Sequence, residues 1–453
     1  MPNRRDIIAA AAAIGLTPGM VWAQDANEYD LQWSAVFGAT SERVAAQQAI
    51  IARANPDLAA GLILEMRFVD VDAEIVPVLR AITGDSSATT WFDWMLWQQA
   101  HPEVRPHVSY IEIMRSLHLR IDENFAPFLR PEFLAADRAR IRVEEITWGG
   151  VVKDGIPSLD NPTLIMAEQA DYLRDDDLVF GLSVNGDVRA YPLRIMGWHE
   201  MFNDVIGGVP LALAYCTLCG SGILFETLVA GRAQPFSFGS SGFLYRSNKL
   251  MYDRETLTLW NQFTGEPVVG PLADSGVVLV QRPVVITPWG DWRRANPATQ
   301  VLSLDTGFQR DYGSGVVYND YFASPDLMFP ALVDQRAQLQ KDYVFGIRRF
   351  GGAKAWPIEV FDGGRVINDA VAGYPVVLIG DAAGRTVRAY GRDQRRFALA
   401  ENGLVADDGS QWQITEEALI GPGESRLPRE AGHIAYWFAW NGYLGAESEI
   451  YVE

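Results

Sequence analysis

Val179-Phe-Gly-Leu-Ser-Val-Asn-Gly-Asp-Val-Arg-Ala-Tyr-Pro-Leu193 reads as two short strands joined by Asn185-Gly186. That dipeptide favours a tight β-hairpin turn because both of its residues reach positive φ cheaply. The pattern returns 165 residues later as Val344-Phe-Gly-Ile-Arg-Arg-Phe-Gly-Gly-Ala-Lys-Ala-Trp-Pro-Ile358. The same offset pairs Asn203-Asp204 with Asn368-Asp369, Gly208 with Gly373 and Pro210 with Pro375. Farther on, Trp260, Gly270-Pro271 and Trp289-x-x-Trp292 find counterparts in Trp412, Gly421-Pro422 and Trp437-x-x-Trp440. The expectation is a β-rich module present twice in tandem, at 144–302 and 320–453.

Residues 28–135 read as helical. Ser41 to Arg53 begins on a capping serine and keeps apolar positions at helical spacing, and Leu58 to Met66, Ile75 to Ile82 and Trp91 to Gln99 continue as short helices. The fold class expected is therefore α+β, a helical region followed by two β-rich modules. His101, His107 and His118 show no metal-ligand spacing and read as surface or satisfied histidines. Trp91, Phe92, Trp94 and Trp97 read as core.

Residues 1–23 read as a signal peptide: a basic start with Arg4-Arg5, an apolar run from Ile7 to Leu16, and a small-x-small site at Val21-Trp-Ala23. Adjacent arginines suit twin-arginine export of a folded protein, so a periplasmic or secreted location is expected. A net charge of -19 opposes nucleic acid and anionic lipid as partners. No later apolar run has the length of an integral membrane segment. A small molecule or a protein is the remaining class of partner.

The duplication sorts scaffold from candidate chemistry. Positions kept in both copies, such as Asn203/Asn368 and Asp204/Asp369, read as turn and core residues. His199 falls on Gly364, Glu200 on Arg365 and Cys216 on Asp381, while the Cys216-Thr-Leu-Cys-Gly220 knuckle finds no counterpart. These are the only two cysteines of the chain, and Val209 to Tyr215 reads as a buried strand leading to them. Two thiolates three apart converge on one ion, and a glycine after the second lets the backbone curl around the sulfurs. The same pair also reads as a redox dithiol or an inert disulfide. The glycine-rich, β-like continuation at Gly220 to Glu226 favours a hairpin knuckle over a thioredoxin-type helix.

Phe238 to Asp253 has no clear partner in the second copy either; its Tyr245, Arg246 and Asn248 are candidate substrate-binding residues beside the knuckle. Met251 reads as core rather than as a thioether ligand. No Ser-His-Asp arrangement, phosphate-cradling loop or dinucleotide fingerprint is evident.

From about Glu144 to the C-terminus the chain resembles the bacterial domain-of-unknown-function 3179 family. The matching stretches are Asp154-Gly-Ile-Pro-Ser-Leu-Asp-Asn-Pro162, Ala190-Tyr-Pro-Leu-Arg-Ile195, Trp198-His-Glu200, Asn203-Asp204, Tyr215-Cys-Thr-Leu-Cys-Gly220, Met251-Tyr-Asp-Arg254 and Leu259-Trp-Asn-Gln262. Members often carry proline where this chain has Thr217. Some are described with selenocysteine in this motif, which implies redox-active sulfur.

The leading expectation is an exported protein with a mononuclear metal site made by His199, Cys216 and Cys219, copper first, zinc or iron behind it. Glu200 is then a candidate proton carrier in catalysis, together with the two cysteines. A second expectation keeps Cys216 and Cys219 as a metal-free thiol/disulfide oxidoreductase. A third is a non-enzymatic metal- or partner-binding protein.

Overall fold

The computed structural model describes residues 27–401 and 403–453, so the expected leader at 1–23 lies outside the described residues. The helical region is built of α1 (Glu28–Phe37), α2 (Thr40–Arg53), α3 (Ala59–Met66), α4 (Asp72–Thr83), α5 (Trp91–Ala100) and α6 (Ser109–His118). Local signals set the boundaries. Asn27 caps α1 through the Asp30 amide, Thr90 and Asp93 form a capping box on α5, and Gly84 stops α4 at φ 78°. Every residue of α3 is buried, because α4, α5 and α6 all pack on it. Trp94 and Trp97 belong to that core, as expected. A second cluster joins Phe125 and Phe128 to Phe243 and Tyr252, and so welds the helical region to the β-rich part.

The first β-rich region runs β1 (Leu178–Val184), β2 (Asp187–Pro192), α7 (Leu193–His199), β3 (Met201–Ile206), β4 (Val209–Cys216), β5 (Ser221–Glu226), β6 (Phe238–Tyr245) and β7 (Asn248–Asp253). After three short strands, Leu259–Asn261, Glu266–Val269 and Gln281–Arg282, come β8 (Val285–Pro288), α8 (Trp289–Ala295) and β9 (Gln300–Leu302). The second region contains β10 (Tyr343–Arg349), β11 (Gly352–Pro357), β12 (Arg365–Val371), β13 (Tyr374–Asp381), β14 (Thr386–Gly391), β15 (His433–Tyr436), α9 (Trp437–Leu444) and β16 (Ser448–Ile450).

Four strands run in the order β8-β1-β2-β9 in the first region, where Leu164–Met166 adds a fifth beyond β9, and in the order β15-β10-β11-β16 in the second. In both sets of four, the first neighbour is antiparallel and the last parallel. The hairpin turn at Asn185-Gly186 has φ 51° and 80°, and the one at Phe350-Gly351 has 58° and 79°. An indole covers a strand glycine in each: a Cβ on Gly181 would fall 2.3 Å from Trp292, and one on Gly346 1.9 Å from Trp440. Asn203 and Asn368 each exchange two hydrogen bonds with a backbone, at Phe238 and Phe397. Asp204 takes Tyr191 and Arg189, as Asp369 takes Trp356 and Lys354.

The regions differ in two further places. The helix α7 is replaced by a short 3-10 turn, Ile358–Phe361. In the first region β3-β4-β5 and β6-β7 lie in separate five-stranded sheets, whereas β12-β13-β14 open an eight-stranded sheet. The regions interlock reciprocally: β15 lies against β5, and β8 against β14. One apolar cluster runs through both, including Phe180, Tyr191, Trp356 and Leu378.

Candidate functional site

The apolar strand β4 delivers Cys216 to a tight turn, and Ser221 at the start of β5 lies directly across from it. The Cys219 amide donates to the Cys216 carbonyl at 3.1 Å and the Gly220 amide to that of Thr217 at 3.3 Å. Gly220 adopts φ 61°, which glycine takes without strain. Both cysteines are free and buried, and their sulfurs lie 2.7 Å apart. The Cys219 thiol is directed at the Ser247 carbonyl, 3.6 Å away. Burial, with the Cys216 sulfur and then the Glu200 carboxylate behind it, pushes the Cys219 thiol well above its ordinary range.

Beneath the turn lies a buried charge pair. Glu200 is the residue after α7 and takes φ 54°, its amide bonding back to the Met196 carbonyl at 2.7 Å. This left-handed step sends residues 199 and 200 to opposite sides. Glu200 turns toward the sulfurs, where its carboxylate accepts from Thr217 Oγ1 at 2.8 Å, Lys249 Nζ at 3.1 Å and Tyr318 at 3.4 Å. His199 turns away. Its Nδ1 meets the Pro157 carbonyl at 2.9 Å, which requires a proton on that nitrogen, so in the neutral ring Nε2 accepts from the Tyr312 hydroxyl at 2.6 Å. Burial lowers its pKa, which favours that neutral form.

The expected ligand set is therefore not assembled: both imidazole nitrogens are engaged away from the sulfurs. Among the described residues no group of three or more His, Cys, Asp or Glu is placed to hold a metal ion. Copper, zinc or iron would find two sulfurs here and no third ligand from His199. What the structure brings together is Cys216, Cys219 and Glu200.

The candidate substrate residues separate in the same way. Arg246 is committed to Glu145 and to the Gly442 carbonyl at 2.7 Å. Tyr245 packs edge-on against Tyr443. Asn248 follows Ser247, whose carbonyl meets the Cys219 sulfur; it is fully buried, and neither atom of its amide has a hydrogen-bond partner. The hydroxyls of Ser247 and Ser221 are likewise buried and unpartnered. Such groups are costly unless something binds them.

A set of tyrosines closes the site, and most come from beyond the first region. The Tyr321 hydroxyl donates to the Leu218 carbonyl at 2.7 Å, and the Tyr436 amide to that of Cys219 at 2.8 Å. Tyr343 and Tyr436 stack with centroids 4.5 Å apart over Gly220, where an added Cβ would stand 2.9 Å from Tyr343. Arg385 donates to the Tyr343 hydroxyl at 2.6 Å.

The family of proteins of unknown function DUF3179 matches residues 153–447, which hold every residue of this site. The chain belongs to that family. No curated protein and no solved structure matches it.

Within the family's span, sequence reasoning missed Lys249, Tyr318, Tyr321, Tyr343 and Tyr436. The one available signal for Lys249 was a lysine inside a strand whose neighbours all read as buried. The tyrosines carried none, because residues 303–319 read as a connection and 320–453 as the copy without a site.

Proposed function

We propose that the protein is an exported thiol/disulfide oxidoreductase whose centre is the Cys216–Cys219 dithiol. The observation that carries this is the contact of two free thiols at 2.7 Å while His199 is engaged elsewhere. A disulfide bond is about 2.05 Å long, so oxidation asks for a small movement of the turn. Export rests on the character of residues 1–23.

The co-reactant class that fits a closed, tyrosine-lined site is a small-molecule disulfide, since a protein surface cannot reach buried sulfurs. Cys216, the outer of the two, attacks one sulfur of the disulfide and expels the first thiolate. Cys219 then attacks Cys216 and expels the second, leaving the Cys216–Cys219 disulfide. The two protons lost by the cysteines leave on the two product thiols, and the reverse sequence reduces the protein. Cys219, held protonated by its burial, is the resolving partner. Asn248, Ser221 and Ser247 supply unspent hydrogen bonds to the entering molecule.

The test is thiol titration and mass analysis of protein purified without chelator, before and after an excess of a small disulfide. One intramolecular disulfide should form, reopen with dithiothreitol and be absent in Cys216→Ser. Stoichiometric bound metal, or thiols inert to every small disulfide in the native state, overturns the reading.

We infer as well that 144–302 and 320–453 are tandem copies of one module. Supporting this are the matched strand orders, the indole over glycine in each, and the paired asparagine bridges.

A further inference from the structure

The segment 303–318 leaves β9 and folds back over α7. Arg194 donates to the Tyr312 carbonyl, Trp198 Nε1 to that of Asp311 at 2.8 Å, and Ser314 to the Asp177 carboxylate at 2.7 Å. Between segment and helix lies a cleft of about 470 Å³, lined by Arg194, Leu304, Phe308, Arg310 and Tyr312. That volume lies in the range of small-molecule sites.

The floor of the cleft is a relay that the dithiol does not use. Tyr312 gives its proton to His199 Nε2, and its oxygen stands 2.7 Å from Thr306 Oγ1. The Phe308 ring lies 5.3 Å from the imidazole, centroid to centroid. The charges around the cleft are not balanced. Arg194 is paired with Asp177 at 3.0 Å, and the Asp311 carboxylate takes the Gly313 amide. Arg310 bonds the Gln309 carbonyl and, among the described residues, has no carboxylate partner. In a chain of net charge -19, an uncompensated guanidinium at the lip of an aromatic cleft is a place for an anion.

We infer that this cleft binds a small organic carboxylate with an apolar body. Arg310 takes the carboxylate, and Phe308 and Leu304 cover the apolar part. Tyr312 is fixed beneath it by His199 and presents its remaining lone pair to a ligand hydroxyl or N–H. The site is separate from the sulfurs because α7 sends His199 to one side and Glu200 to the other.

Titration calorimetry of the full exported chain with phenylacetate, 4-hydroxyphenylacetate, the neutral analogue phenylacetamide and inorganic phosphate tests it. Both carboxylates should bind, the hydroxylated one more tightly, and phenylacetamide and phosphate at least about tenfold more weakly. Arg310→Gln, an exposed position, should weaken the carboxylates about tenfold or more, and Phe308→Ala should weaken them while leaving phosphate unchanged. Cys216→Ser should bind as the parent does, so a failed dithiol reading leaves this one standing. Phosphate binding as tightly as phenylacetate, no binding by either carboxylate, or indifference to Arg310→Gln overturns the inference.

Discussion

At the end of β4 the chain turns through Thr217-Leu-Cys-Gly220, and at the end of β13 through Ala382-Ala-Gly-Arg385. The two turns have one length and one register, Cys216 facing Ser221 as Asp381 faces Thr386. The knuckle thus has a positional counterpart that the sequence comparison did not find, without sulfur. Their surroundings differ. The first turn is buried over a Glu200–Lys249 pair and capped by stacked tyrosines, while Asp381 and Ala383 are exposed. On one side of the interlock the Tyr436 amide holds the Cys219 carbonyl; on the other, Pro288, which has no amide hydrogen, packs on Gly384. The lesson is that one backbone turn hosts chemistry or nothing according to what its neighbours bury against it.

The largest effect should come from the charge pair. Lys249→Met leaves Glu200 buried and uncompensated and should cost about 3–5 kcal/mol in urea unfolding. Lys354→Met, which breaks the more open pair with Asp369, should cost about 1 kcal/mol. Comparable losses at the two positions would erase the distinction between the regions.

Next come the turns themselves. Gly220→Ala meets both a left-handed φ and Tyr343, and should cost about 1–3 kcal/mol and speed alkylation of the thiols. Arg385, at φ 50°, already bears a side chain there, so Arg385→Ala should cost less than about 1 kcal/mol. The asparagine bridges sharpen the likeness instead. Asn203→Ala and Asn368→Ala should each cost about 1–3 kcal/mol, with Asn203 slightly the more costly because it also donates to Asp160. A near-zero cost at one of them would break the equivalence.

The smallest effect is a slope with pH. Burial, then the charge of Arg348, holds His433 down to about 3, and burial lowers His199. A histidine lowered in the folded state binds fewer protons than in the unfolded chain. Its contribution is therefore intact above about pH 6.5 and is lost as pH falls below that value, by up to about 1.4 kcal/mol per unit. Urea midpoints between pH 7 and 5 should fall less steeply in His433→Gln, and in His199→Gln to a smaller degree.

The fold was legible wherever a local pattern carried the information. Asn185-Gly186 marked the hairpin, the apolar run before Cys216 marked β4, and helical spacing marked α2 through α5. The match of Trp289-x-x-Trp292 with Trp437-x-x-Trp440, 148 residues apart, marked the two indoles that each cover a strand glycine. Glu200 and the cysteine pair were legible as a group because all were missing from the later stretch. His199 was misplaced for one backbone reason: the left-handed φ at Glu200, which no residue type announces, separates two neighbours that look like partners in sequence. Lys249 and the capping tyrosines depend on long-range packing, and their own neighbours hold no trace of it.

The reciprocal interlock described above has a mechanical corollary. Each region holds the other at two separate places, β15 on β5 and β8 on β14, so neither can swing away about a single contact. The Cys216 turn, held by Tyr436 and roofed by the Tyr343–Tyr436 stack, therefore cannot open as a flap of the earlier region alone.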